Sequence, residues 1–556
     1  MKVLPITEWL TQYPRANFRL DVVAGIALAG LLIPEAMGYA GIAGLPPQAG
    51  LYATAFGMLA YAIFGSSRQL AVSPTSASAA ILAATVAPLA ATNPGKFVVL
   101  ASAVSLVVGL IFFLAGILKL GYISDFISKP VLKGFVFGIA LTIVIKQLPK
   151  LLGIEKGTGA SYIKLWYTLS HFAQTNLWTL ATSAVALAAL FLIDRYVPKV
   201  PGALLVLVGG IALSRLLGLH NHGVDIVGAI PAGLPRPEFP VLTWADWQQA
   251  APAALGLALV LYAESVGAAR TYASKNGYDV DPNQELRALA VSNAASAIFH
   301  GMVVGGGTSG TAANDTNGAK SQVSSIAASL VVMLTLLFLT GWFYHLPEAV
   351  LGAIVVHAVW HLLNYKELQR FRRIRKIEFR ESLAAVFGVI AFGILNGLLL
   401  AVILTLVALM RYLSESHVAV LGRLQGTREY VDVLRHPEAE QFPGILMLRI
   451  ERMLFFANAA GIRQLIRGLI AQANPKVLVL SFELIPVLDV TAIDVLQQMH
   501  ASATRHGIRL VLAGVRDPVR DRLAKASLLE TIGEENIFRG VDQAADALTG
   551  VASAKN

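Results

Sequence analysis

Apolar residues form long unbroken runs over the first three quarters of the chain and alternate with polar ones only near its end. VVAGIALAGLLI, FVVLASAVSLVVGLIFFLAGIL, LATSAVALAALFLI, AASLVVMLTLLFLTGWF and LLLAVILTLVALM are such runs. A helix needs ~20 apolar residues to cross ~30 Å of hydrocarbon. Recurrence on this scale predicts a polytopic bundle of roughly fourteen helices rather than one or two anchors. After Arg411 the pattern changes. SESHVAVLGRLQGTREYVDVLRHPEAEQ reads as a linker, and from Phe442 GILMLRI and KVLVLSF read as strands, followed by IRLVLAG. GIRQLIRGLIAQ, TAIDVLQQMHASATRH and DPVRDRLAKASLL have helical spacing. Strands and helices in alternation predict a mainly parallel sheet covered by helices. The expected division is a transmembrane domain over 1–415, a linker over 416–441 and a small α/β domain over 442–556.

Composition agrees with this picture. The chain of 556 residues is 56% hydrophobic and only 14% charged, with a mean hydropathy of +0.64, whereas soluble domains run near a quarter charged. The first apolar run follows a polar start, Thr7 to Asp21, without a small-residue cleavage site, so no secretory signal is expected. There is no cysteine, which excludes disulfides and thiolate metal sites. The net charge of +10 raises the question of nucleic acid. Its densest cluster, Asn364 to Arg380, lies between two apolar spans, as expected of a cytoplasmic loop. Basic residues in Tyr13–Arg19, Ser128–Lys133 and Asp194–Lys199 point the same way. Both termini and the α/β domain are therefore expected in the cytoplasm of a cell whose inner (plasma) membrane holds the bundle.

The chain repeats itself. SPTSASAA (73–80) set over GGTSGTAA (306–313) places Thr75, Ser76, Ala79 and Ala80 on Thr308, Ser309, Ala312 and Ala313. A nearly equal offset brings Glu35, in GLLIPEAMGYA, within about a turn of Glu264, in LALVLYAESVGAA. Two halves of seven spans each would be inverted relative to one another, the arrangement of secondary transporters whose site lies at the bilayer midplane.

The hydroxyl-rich segments suit that place. A helix that starts inside the bilayer leaves its first amides without carbonyl partners, and protein, water or a ligand must satisfy them. Opposed starts at Thr75–Ser76 and Thr308–Ser309 would each present about half a positive charge. Together with hydroxyl and amide donors, including Gly310 and Thr311, they make an anion site. Gly305, Gly307 and Gly310 also spell GxGxxG, but AVSNAASAIFHGMVV before them reads as a helix, whereas dinucleotide binding needs a strand. Glu35, with Tyr39 four residues on, is assigned to the substrate. Glu264 and Asp315 are assigned to a co-transported proton or sodium ion. An ionised glutamate ~5 Å from an anion repels it by about 3 kcal/mol at an effective dielectric of 20, so a cation at Glu264 should favour binding. His345, His357 and His361 are read as structural rather than metal ligands, and no resident cofactor is expected.

With these residues the chain resembles the sulfate permease (solute carrier 26) family. IPEAMGYAGIAGLPPQAGLY, FGSSRQLAVSP and DPNQELRALAVSNAASAIFHG carry the likeness, with Glu35 where the family commonly has glutamine. FPGILMLRIERMLFFAN through LVLAG resembles its sulfate-transporter and anti-sigma-antagonist (STAS) domain. The resemblance implies an all-α polytopic membrane domain of seven plus seven inverted helices and a cytoplasmic α/β STAS domain. Helices 1–4 and 8–11 would form a core that moves against a gate of helices 5–7 and 12–14. It also implies a homodimer, an anion held between the starts of helices 3 and 10, and coupling through Glu264, with Ser309 at the site. Gly310 departs from the arginine of many relatives, which leaves more of the binding to helix dipoles and a co-ion. Asp489-Val490-Thr491 occupies the loop where related antagonists are phosphorylated, but a plain helix N-cap explains Thr491 better than a phosphosite does. Coupled symport of sulfate, bicarbonate or a dicarboxylate is the expected function. The alternatives are a nucleobase symporter of the same fold, an uncoupled exchanger, and a sensor working through a cytoplasmic partner of the STAS domain. No hydrolytic triad, metal motif or P-loop suggests an enzyme.

Overall fold

A computed structural model describes residues 5–11, 13–90, 94–126, 128–197, 200–241 and 243–550. Lys199, one of the basic residues used for orientation, lies outside them, as do residues 551–556 of the α/β domain. The chain divides into two compact units, Met1–Thr405 and Leu406–Asn556.

The first unit runs through one order of elements twice. Helices α1 (Asn17–Ala43) and α2 (Pro47–Phe64) lead to a two-residue strand β1 (Val72–Ser73). Then come α3 (Ser76–Ala90), α4 (Pro94–Ile117), α5 (Lys129–Leu152), α6 (Leu177–Tyr196) and α7 (Gly202–Leu217). The second pass has α8 (Trp244–Lys275), α9 (Pro282–Ile298), β2 (Gly305–Gly306) and α10 (Thr308–Thr316). It closes with α11 (Val323–Leu334), α12 (Glu348–Trp360), α13 (Lys376–Phe392) and α14 (Ile394–Ser414), the last part of which, from Leu406, belongs to the second unit. Even the extra amphipathic helix recurs, as Ser161–Ser170 between α5 and α6 and as Tyr365–Ile374 between α12 and α13. Among the described residues, six helices are long and apolar enough to cross a bilayer. The segments Ser76–Val86, Gly202–Leu217 and Leu399–Ser414 are apolar but shorter.

Glu35 follows Pro34, and the sequence leaves room for a helix break there. There is none: α1 continues through Pro34 to Ala43. It ends at Gly44, whose φ of +79° only glycine adopts freely, and Leu45 N reaches back to Ala40 O at 2.8 Å.

Two of the motifs quoted above touch each other. Glu285, from DPNQEL, is fully buried. It accepts from the Tyr61 hydroxyl at 2.6 Å, the Ser66 hydroxyl at 2.7 Å, and the amides of Ser66 and Ser67 at 2.9 and 3.3 Å. Gln284 Nε2 donates to Phe64 O at 2.8 Å. These bonds hold the FGSSRQL turn, which delivers the chain to β1, against the first turn of α9.

The second unit is a six-stranded sheet in the order β4-β3-β5-β6-β7-β8. Its strands are β3 (Val418–Arg423), β4 (Tyr430–Asp432), β5 (Ile445–Ile450), β6 (Val477–Ser481), β7 (Arg509–Ala513) and β8 (Ile537–Phe538). From β5 to β8 the pairing is parallel, as expected from alternation with α15 (Ala459–Ala473), α16 (Val490–Arg505) and α17 (Asp517–Lys525). The 416–441 segment is not a linker. VAVLGR pairs antiparallel with β5 on one side and with Tyr430–Asp432 on the other, so its alternating residues reach apolar surface on both faces of the sheet. Asp489, rather than Thr491, caps α16 by accepting from Ala492 N at 2.8 Å; Thr491 is an exposed residue of the first turn.

Candidate functional site

β1 and β2 pair antiparallel, Val72 with Gly306 and Ser73 with Gly305. In the internal repeat Val72 corresponds to Gly305 and Ser73 to Gly306, so exchanging the halves maps this pairing onto itself. A local two-fold axis therefore passes between the strands. α3 and α10 leave them in opposite directions, with their starts next to each other. Gly307 N donates to Ala71 O at 3.2 Å, and a Cβ on Gly307 would lie 3.6 Å from Thr75 Cγ2.

The two starts are capped differently. Thr75 Oγ1 accepts from Ser78 N at 3.1 Å, and Ser78 Oγ accepts from Thr75 N at 2.9 Å. This is a reciprocal capping box with serine as the second partner. α10 starts after Gly307 with no side-chain cap. Its first amide to find a backbone carbonyl is that of Thr311, on Gly307 O at 3.1 Å. The amides of Thr308, Ser309 and Gly310 precede any intrahelical partner, which leaves α10 the more open donor end.

A cavity of about 470 Å³ flanks this end. Thr308 and Ser309 line it beside Ala27, Leu31 and Glu35 of α1, with His357 of α12 across from them. Glu35 is buried, and Ser309 Oγ donates to its Oε2 at 3.5 Å. Tyr39 is buried one turn further along α1, within electrostatic reach of both Glu35 and Glu264. Thr75 and Ser76 are buried and do not line the cavity.

The other assigned residues behave differently. Gly310 turns toward α1 and β1: a Cβ there would meet Leu32 Cδ2 at 3.2 Å and Ala71 Cβ at 3.3 Å. The Thr311 hydroxyl, assigned to substrate, is used inside the fold instead, donating to Gly307 O at 2.6 Å and accepting from Ala71 N at 3.2 Å. Asp315 is not beside the acids. It holds Lys275 Nζ at 2.6 Å and Asn276 Nδ2 at 2.7 Å, tying the end of α10 to the end of α8. Glu264 is partly buried in α8 and has no hydrogen-bond or ion-pair partner among the described residues.

Two positions, Ser265 and Asn293, went unnoticed in the sequence, and a third, His357, was read there only as structural. Ser265, next to Glu264, accepts from Gly306 N at 2.7 Å and so ties α8 to β2. Asn293 accepts from Val304 N at 3.0 Å and donates to Val304 O at 2.9 Å, which holds the chain entering β2. His357 pairs with Asp194 through Nε2 at 2.9 Å and puts a titratable group on the cavity wall. A lone serine or asparagine among small apolar residues gives no pattern from which to find such a role.

Beyond the cavity α1 closes on α12. A Cβ on Gly38 would lie 2.5 Å from Val355 Cγ2. Gly38→Ala is expected to destabilise the purified protein by about 1–3 kcal/mol, read as a lower unfolding temperature, and Val355→Ala in the same chain should restore most of it.

Residues 18–385 match the sequence profile described as the Sulfate permease family, and residues 436–544 match that of the STAS domain. A "Probable sulfate transporter" of Mycobacterium tuberculosis (strain CDC 1551 / Oshkosh) is 36% identical over 538 residues, 96% of each chain. "Probable sulfate transporter 3.3" of Arabidopsis thaliana is 32% identical, with 98% of this chain and 91% of that one covered. The murine solute carrier 26 family member A9 anion transporter, solved in the inward-facing state, shares the fold over 99% of this chain and 94% of its own, with a TM-score of 0.88 at 23% identity. The transmembrane domain of a cyanobacterium bicarbonate transporter shares it over 70% of this chain and 98% of its own, with a TM-score of 0.62 at 24% identity.

Proposed function

The chain belongs to the sulfate permease family of anion transporters, with a helical membrane domain and a C-terminal STAS domain, and we propose that it is a proton- or sodium-coupled symporter of an oxyanion, sulfate first among them. Support comes above all from the α10 start. Uncapped amides and the Thr308 and Ser309 hydroxyls face a cavity that also contains a buried carboxylate, Glu35. The helix end attracts an anion; the acids oppose one until a cation neutralises them. The anion and the co-ion therefore favour each other's binding, which is the thermodynamic content of symport. The names of the similar proteins from Mycobacterium and Arabidopsis favour sulfate.

Alternating access would move α1–α4 and α8–α11 against α5–α7 and α12–α14, with Gly38 and Val355 at the parting surface. The same proposal has both termini and the STAS domain in the cytoplasm of a homodimer. Labelled sulfate uptake into proteoliposomes is the test. Accumulation is expected only under an inward proton or sodium gradient, and uptake indifferent to both would refute coupling.

A further inference from the structure

A second cavity, of about 460 Å³, opens at the other end of α1. Along α1 the first cavity is lined by Ala27, Leu31 and Glu35 and the second by Gly41 to Gly44; at 1.5 Å per residue the nearest of these, Glu35 and Gly41, stand about 9 Å apart along the helix. Four lysines surround the second: Lys146 and Lys150 near the end of α5, Lys156 in the loop beyond it, and Lys164 in the helix Ser161–Ser170. Lys150 Nζ is paired at 2.8 Å with Glu348, which lines a smaller neighbouring cavity rather than this one and is within electrostatic reach of Lys156. Among the described residues no other of the four is in an ion pair. Lys146 and Lys164 feel each other's charge, a repulsion that an anion between them would relieve.

A different kind of observation points to the same place. Thr142 is 1% exposed and lines this cavity, yet its Oγ1 has no hydrogen-bond partner. Helical threonines ordinarily return the hydroxyl to the carbonyl four residues back, as Thr405 does to Ala401 O at 2.9 Å. A buried donor left free in the wall of this cavity suits an acceptor oxygen from outside the chain.

The path between the two cavities is short. A smaller cavity of about 110 Å³ shares Gly41, Gln147 and Lys150 with the lysine site and has Gly38 and Val355 in its wall. Ile354 and Ala358, on either side of Val355, line the cavity at Ser309. The Gly38–Val355 contact is thus what separates the lysines from the α10 start.

We propose that the lysine cavity is a second oxyanion site, a vestibule that collects the transported anion on the far side of the seal between α1 and α12. It deepens the transport proposal and rests on it for direction of flow, but not for binding. Convergent positive charge raises local anion concentration and entry rate, and the effect fades with salt. The same ammoniums could hold a lipid phosphate, so the lipid is varied in the test.

In phosphatidylcholine proteoliposomes at low ionic strength, Lys146→Gln/Lys164→Gln should raise the KM for labelled sulfate about three- to tenfold and leave the maximal rate within about twofold. It should also flatten the rise of KM with added salt, and Lys146→Arg/Lys164→Arg should behave as the unsubstituted protein. An unchanged KM and salt dependence in the folded glutamine variant would overturn the vestibule. A readout that needs no transport is the labelling of Lys164 by an amine-reactive reagent. Sulfate should slow it in phosphatidylcholine vesicles; slowing by added phosphatidylglycerol but not by sulfate would replace the proposal with a headgroup site. Gradient-indifferent uptake with intact protection of Lys164 would refute coupled symport and leave the vestibule standing.

Discussion

Glu264→Gln is expected to abolish gradient-driven sulfate accumulation while sulfate exchange across the membrane continues. Ser265, the next residue, is bonded to Gly306 N at 2.7 Å, so α8 sets Glu264 close behind the strand pair from which α3 and α10 start. Its carboxylate has no hydrogen-bond or ion-pair partner among the described residues, only the field of Lys133. At ~5 Å an ionised Glu264 would oppose an anion by about 3 kcal/mol, or roughly a hundredfold in affinity. A proton or sodium ion removes that opposition, and an inward gradient of the cation then drives the anion. Glutamine keeps the size and loses the charge, so the anion binds whether or not a cation is present. Accumulation under an imposed gradient should fall to the level of passive exchange. Uptake into proteoliposomes checks this, and full gradient dependence in the variant would move the coupling role elsewhere, with Glu35 the next acid to replace.

Glu285→Ala should have the largest effect on the fold. One buried carboxylate receives four donors, from Tyr61, Ser66 and Ser67. Alanine would strand the Tyr61 hydroxyl and the Ser66 amide in the interior and free the turn that leads into β1. The expected loss is about 3–5 kcal/mol, a large share of the stability of an ordinary domain. Thermal unfolding in detergent should show a much lower midpoint or no folded protein at all. Glu285→Gln, which keeps one acceptor oxygen, should fall between. A midpoint equal to that of the parent chain would mean that the turn is held by other contacts.

Much of this architecture is legible in the sequence, for reasons that also mark where legibility ends. Apolar runs reveal helices because hydrocarbon admits little else. The repeat is visible because both helix starts need the same small, hydroxylated residues, so SPTSASAA and GGTSGTAA survive as similar strings. The strand pair that joins them has only two residues on each side, too few for any alternation to register. Asp315 is two turns beyond Thr308, and hydropathy alone does not reveal that Lys275, forty positions earlier, closes on it. Thr311 looks like its neighbours Thr308 and Ser309, but the helix turns it inward onto Gly307 and Ala71. The 416–441 segment reads as a linker because VAVLGR is brief and a charged loop follows. Its partner strand, Ile445–Ile450, comes more than twenty residues later. The lysines of the second cavity are spread over nineteen residues between the end of α5 and the next helix, where each alone looks like an ordinary interfacial lysine.

The central claim is that the uncapped start of α10 catches an anion in the cavity it shares with Glu35. Crystals of the full chain grown with selenate, a heavier relative of sulfate, would test it by anomalous scattering from selenium. A peak is expected beside the α10 start, with the selenate oxygens about 2.7–3.2 Å from the amides of Thr308, Ser309 or Gly310. A site with no peak there, or one filled in competition by an uncharged nucleobase, would contradict it.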